Sequence, residues 1–110
     1  MINLEDNIKK FFKRKLEIEE TLSTSNLDPK EYATLSKELS DVTQVTDLSS
    51  LINAKKTELE DLYFLLKDKE SDADLQDMAR EESKMLENKL NSLNKKLELA
   101  ILPKDKADQR

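Results

Sequence analysis

Glycine is absent from all 110 residues of this chain, and its only two prolines stand at positions 29 and 103. Glycine supplies left-handed corners and tight hairpin turns at low steric cost, so a chain without it favours helices over a sheet of short strands. Residues 30–102 contain no strong helix breaker at all. Composition agrees, with 36% hydrophobic and 39% charged residues against typical values of about 45–50% and about 25%. That balance suits long, solvent-washed helices better than a thick globular core, and the length suits a single domain.

The spacing predicts an all-α, elongated three-helix arrangement over approximately 3–23, 28–68 and 72–102, with antiparallel, coiled-coil-like packing. Asn3 is a plausible cap for the first helix, and Ser23, Thr24, Ser25 and Asn26 loosen the chain after it. The second has the clearest start: Asp28 at N-cap, Pro29 at N1, Glu31 at N3, and Leu27 and Tyr32 at the two positions of a hydrophobic staple. The third begins near Ser71 or Asp72, with Asp72 and Asp74 at the positive end of its dipole, and stops before Pro103.

The second helix does not keep one apolar face. At about 100° per residue, Tyr32, Leu35, Leu39 and Val42 lie on one side, while Leu48, Ile52, Leu59, Leu62 and Leu66 lie well over 90° away. Four apolar residues spaced by three (Leu39, Val42, Val45, Leu48) produce the rotation. One helix therefore offers its first half to one partner and its second half to another, and the simplest arrangement packs helix one on the former and helix three on the latter. About 40 residues at 1.5 Å each gives a rod of roughly 60 Å. Its weak point is the Ser-, Thr- and Asp-rich stretch 40–50, where a kink or break is expected if anywhere.

On the first helix Leu4, Ile8, Phe11, Ile18 and Leu22 form a stripe, which Phe12 and Leu16 widen. Lys15 falls within it and is expected to lay its methylene stem on the stripe with the ammonium outward. Lys9, Lys10, Lys13 and Arg14 cluster on the far side and form the candidate contact site for phosphate or an acidic partner. Glu17, Glu19 and Glu20 follow closely, so the alternative is an ordinary solvated face.

No catalytic residue is expected. Histidine and cysteine are both absent, which removes the commonest general base, the best nucleophile and any thiolate metal site. Phosphate-cradling loops need glycine. Glu58, Glu60 and Asp61, or Glu81 and Glu82, sit on helices without a sign of a pocket. Asp72, Asp74 and Asp77 resemble metal ligands only superficially, since no glycine provides the turn of a calcium loop. No cofactor and no metal are therefore assigned. Met78 and Met85 read as core filler on the third helix. No apolar run approaches the ~20 residues of a membrane span, and no secretory signal is present, so a cytoplasmic protein is expected. Nineteen basic and 24 acidic residues give a net charge of −5, which excludes a uniformly basic nucleic-acid surface but not a local patch.

The apolar run Leu86, Leu90, Leu93, Leu97, Ala100 and Ile101 ends at Leu102-Pro103, followed by a charged strip from Lys104 to Arg110. Leu102-Pro103-Lys104-Asp105, then Asp108-Gln109-Arg110, resembles the joint after the N-terminal domain of bacterial class-I peptide chain release factors, most of all the type that reads UAA and UAG. Lys106 stands where that family usually has proline. Asp77-Met78-Ala79-Arg80-Glu81-Glu82 is similar to the start of the family's preceding helix. Asp28 to Tyr32 and Leu35 to Leu39 fall on a further segment of the pattern.

The resemblance implies a helical domain over 1–102 and, from 103–110, the start of a linker to a following domain. It further implies a role in translation termination. Stop-codon reading by a Pro-x-Thr loop and peptidyl-tRNA hydrolysis promoted by a Gly-Gly-Gln motif would belong to later domains, since neither motif occurs here. The implied partners are the ribosome at the large-subunit GTPase-associated centre, with its stalk-base protein and ribosomal RNA, and the class-II release-factor GTPase nearby. Two rival readings are a free-standing antiparallel coiled-coil adaptor and a tRNA-binding helical arm of the seryl-tRNA synthetase kind. The first leaves the joint unexplained, and the second needs a stripe that does not rotate.

Overall fold

The computed structural model describes residues 3–103, and they form three helices: α1 (Leu4–Thr24), α2 (Pro29–Lys67) and α3 (Ala73–Ile101). Each starts on the side chain that the sequence offers. Asn3 accepts from the Asp6 amide at 2.8 Å, Asp28 from Glu31 at 2.7 Å and Asp72 from Leu75 at 2.7 Å. Each bond satisfies one of the orphan donors of a helix N-terminus. The ends are built without glycine. Thr21, Ser23 and Thr24 turn their hydroxyls back to the carbonyls of Glu17 and Glu20, which competes with continued helix. Leu102 is held extended (φ −61°, ψ 142°) ahead of Pro103, as the proline ring requires. The joint's remaining residues, 104–110, lie outside the described residues, and with them most of the expected linker.

α2 is unbroken over its 39 residues, so the weak stretch 40–50 does not interrupt it. The reason is burial. Thr46 and Ser49 are 2% and 8% exposed within the core, and the Thr46 hydroxyl donates to the Thr43 carbonyl at 3.1 Å. A satisfied hydroxyl of small volume lets a neighbouring helix approach closely, which outweighs poor helix propensity. Tyr32, at the staple position, stays 54% exposed.

α1 and α3 both pack antiparallel on α2. Arg14 reaches Glu38 near the α2 N-terminus, while Leu4 and Ile8 line one groove with Ile52 and Asn53. Gln76 meets Leu65, Tyr63 meets Glu87, and Leu97 comes level with Ile52. The division of α2 between two partners is thus as the rotating stripe indicates, but the two halves share a centre. Val45, Ile52, Leu90, Leu93 and Leu97 form the buried cluster, and Ile8 and Phe11 from α1, with Leu48 and Leu59, pack against it. The molecule measures 63 × 35 × 27 Å.

The α2–α3 turn is closed by Gln76. Its amide donates to the carbonyls of Leu65 and Asp68 at 3.2 and 3.0 Å, and to the Ser71 hydroxyl. The same carbonyls also accept from the turn, Leu65 from the Asp68 amide and Asp68 from the Ser71 amide and hydroxyl, so Gln76 reinforces a helix end more often closed by a glycine cap.

Several apolar residues face elsewhere than expected. Met78 and Met85 are 50% and 68% exposed, not core filler: they lie about 100–120° around α3 from buried Ala79 and Leu97. Leu4, Phe12 and Leu16 on α1 are also exposed. Lys15, by contrast, is half-buried, in keeping with a stem laid along the stripe.

Candidate docking surface

The four cations singled out on α1 do not form one equivalent set. Lys9, Lys10 and Lys13 are exposed. Arg14 sits only about 40–60° around the helix from Ile18 and Phe11, at the border of the buried stripe. There it makes a two-pronged contact with Glu38 of α2: Nε donates at 2.6 Å and Nη2 at 2.7 Å, with Glu17 at 3.7 Å on the other side. The hydrogen bond from Arg14 holds the Glu38 carboxyl below the ordinary range, and the same bond raises the Arg14 guanidinium. Arg14 therefore ties α1 to α2, and its charge is met within the domain. A pairing across 24 residues of sequence has no local signal.

Two apolar side chains enter the surface instead. Lys9, Phe12, Lys13 and Leu16 follow the i, i+3, i+4, i+7 spacing of one helix strip, and Phe12 and Leu16 are 40% and 68% exposed. Lys9 and Phe12 continue into a groove of about 570 Å³ at the meeting of the three helices, walled by Leu4, Ile52, Lys56 and Leu97. The strip thus combines cations with an aromatic ring. This is the composition expected of a surface that meets phosphate or a mixed RNA–protein face.

Of the carboxylates singled out in the sequence, Glu58 and Glu82 line one groove between α2 and α3, with Lys55, Met85 and Lys89 beside them. Asp72 caps α3, Asp77 pairs with Arg80, and Glu87 accepts the Tyr63 hydroxyl at 2.7 Å, raising the tyrosine pKa above its ordinary value. Among the described residues no group of three or more carboxylates could hold a metal ion, and no helix is long and apolar enough to cross a membrane.

The fold and this surface define a class: an elongated, all-α domain whose outward features are charged strips on a rod. Residues 11–110 match the model of the PCRF domain, and the chain belongs to that family. It is 34% identical to peptide chain release factor 1 of Wolbachia pipientis over 99% of its length, 33% identical to that of Bartonella tribocorum over 100%, and 38% identical to that of Pelagibacter ubique over 84%. The chain spans about a third of these relatives, covering 31%, 31% and 26% of them. No solved structure matches it. The release-factor resemblance carried by the joint and by the 28–39 and 77–82 segments is thus met by both the family model and the relatives.

Proposed function

We propose that this domain docks and orients a peptide chain release factor during translation termination in the cytoplasm, as the helical part over residues 1–102, with 103–110 leading to the next domain. The family match over nearly the whole chain carries the reading. The lack of any histidine, cysteine or glycine is consistent with codon reading and peptidyl-tRNA hydrolysis lying in other domains. The target is the large-subunit GTPase-associated centre, with the stalk-base protein and its ribosomal RNA, beside the class-II release-factor GTPase. Lys9, Lys10 and Lys13 make the contact, with Phe12 among them and Leu16 at the end of the strip, while Arg14 pairs with Glu38 to hold α1 on α2.

Ribosome pelleting tests the contact. Exchanging Lys9, Lys10 and Lys13 for Glu should weaken association at least ~10-fold and flatten its salt dependence; unchanged pelleting returns the strip to a solvated face. The isolated domain should release no peptide from peptidyl-tRNA, and turnover by it would refute the assignment of chemistry elsewhere.

A further inference from the structure

α2 has 39 residues and α1 only 21, so α1 covers part of the side on which it lies. That side is marked by Glu38 and Val42 beside Arg14 and Phe11, then by Asn53 and Lys56 beside Leu4 and Ile8. Continued at helical spacing, it carries Glu60, Phe64 and Lys67. Phe64 follows Thr46 by 18 residues, five whole turns, so the two side chains leave the axis in one direction about 27 Å apart. Thr46 is 2% exposed and Phe64 is 80% exposed. The preceding Tyr63 turns to Glu87 on α3, but Phe64 cannot, since the next position is rotated by about 100°. It stands in a shallow apolar groove with Leu65, edged by Asp61, Lys67 and Asp68.

Charge decides what fits there. Residues 57–82, the hairpin end of the molecule, hold ten of the chain's 24 carboxylates but three of its 19 cations, and one of those, Arg80, is paired with Asp77. Phosphate is repelled by such a surface. A wholly apolar partner would strip water from Glu60, Asp61 and Asp68 without pairing them.

We propose that the uncovered side of α2 around Phe64 is a docking site for a basic amphipathic helix of another protein. Its apolar residues would lie on Phe64, with lysine or arginine meeting Glu60, Asp61 and Asp68. α1 is the internal precedent: on the same side of α2 it buries Ile18 and sets the Arg14 guanidinium against Glu38. The guest helix repeats that arrangement further along the rod. The inference stands apart from the α1 lysine strip, and its test reads a different set of residues.

The experiment titrates the domain with a labelled Lys/Leu amphipathic helical peptide of about 20 residues, its Glu/Leu counterpart and a single-stranded RNA. Amide chemical shifts map the site. The Lys/Leu peptide alone should bind, with shifts concentrated at 57–68. Phe64→Ala and the double variant Asp61→Lys, Asp68→Lys should each weaken it at least ~10-fold, whereas Lys9→Glu with Lys13→Glu should not. Phe64, Asp61, Lys9 and Lys13 are exposed, and circular dichroism melts of their variants should be unchanged. Asp68→Lys also gives up the bond its carboxylate accepts from the Glu70 amide, so Asp61→Lys alone is the control that weakens binding without touching the turn. Equal binding by both hairpin-end variants, shifts on α1 instead, or RNA binding at 57–68 would overturn the proposal. So would self-association in sedimentation velocity that Phe64→Ala abolishes, because the face would then belong to a second copy.

Discussion

The α1 lysine strip and the hairpin end of α2–α3 are built alike and charged oppositely. Each sets an exposed phenylalanine among charges at helical spacing, Phe12 between Lys9 and Lys13 and Phe64 among Glu60, Asp61 and Asp68. Residues 7–16 hold five cations and no carboxylate, while residues 57–82 hold ten carboxylates and three cations. The chain's net charge of −5 therefore describes neither region. An average that argues against a nucleic-acid clamp conceals one strip suited to phosphate and one end suited to a basic protein. What separates them is the shared centre, where α1 and α3 both meet the middle of α2.

Damage to that centre should reach both regions at once. Leu97→Ala removes a side chain that is 4% exposed and belongs to the cluster on which Ile8 and Phe11 also pack, so it should cost about 2–5 kcal/mol. In urea unfolding both regions should lose stability together; loss confined to α3 would mean that the two ends fold independently.

A smaller change loosens one end alone. Gln76→Ala removes the side-chain amide that the Leu65 and Asp68 carbonyls accept in addition to the bonds from the Asp68 amide and from Ser71, at a cost of about 0.5–1.5 kcal/mol. Hydrogen exchange should rise at the α2–α3 turn and stay unchanged in α1.

At the other end, Arg14 and Glu38 are 44% and 39% exposed at their side chains, so solvent screening limits the pair to about 0.2–1 kcal/mol, which a double-mutant cycle would measure. Its pH dependence has a definite sign. Because the Arg14 hydrogen bond lowers the Glu38 pKa in the folded state, the contribution is present above the ordinary value of 4.5 and fades as pH falls through the lowered one. Asp28, lowered chiefly by the Glu31 amide, adds to the loss below its ordinary 3.8. Glu38→Gln should flatten the upper part of this acid limb.

The smallest effect belongs to Phe64→Ala. A side chain that is 80% exposed should change stability by no more than about 0.5 kcal/mol. A loss of 2 kcal/mol or so would instead place Phe64 in the fold and remove its availability for docking.

The three helices are legible because their starts are local. Asn3, Asp28 with Pro29, and Asp72 each act within four residues of themselves, and Pro103 acts on its immediate neighbour. The rotation of the α2 stripe is also a property of one segment, and it indicates correctly that two helices pack there. Legibility ends where a partner's length matters. A helical wheel assigns Thr46 and Phe64 the same direction, yet one is buried and the other bare, because α1 runs only part of the way along α2. Met78, Met85, Phe12 and Leu16 are apolar and well spaced, but each lies just outside the arc that a single neighbouring helix can cover. Arg14 reads as one more member of a basic cluster until Glu38, 24 residues away in sequence, is brought opposite it. The family resemblance rests on short segments and supplies the role of the whole, but it does not single out which side chains touch a partner.

On the proposed reading the α1 strip holds the domain on the ribosome and the acidic end does not contribute through phosphate. Ribosome co-sedimentation across a salt series, comparing the domain with its Lys9→Glu, Lys10→Glu, Lys13→Glu variant, reads this directly. At least a ~10-fold weaker association and a salt slope reduced by roughly two to three are expected. Co-sedimentation with unchanged affinity and slope would contradict that reading.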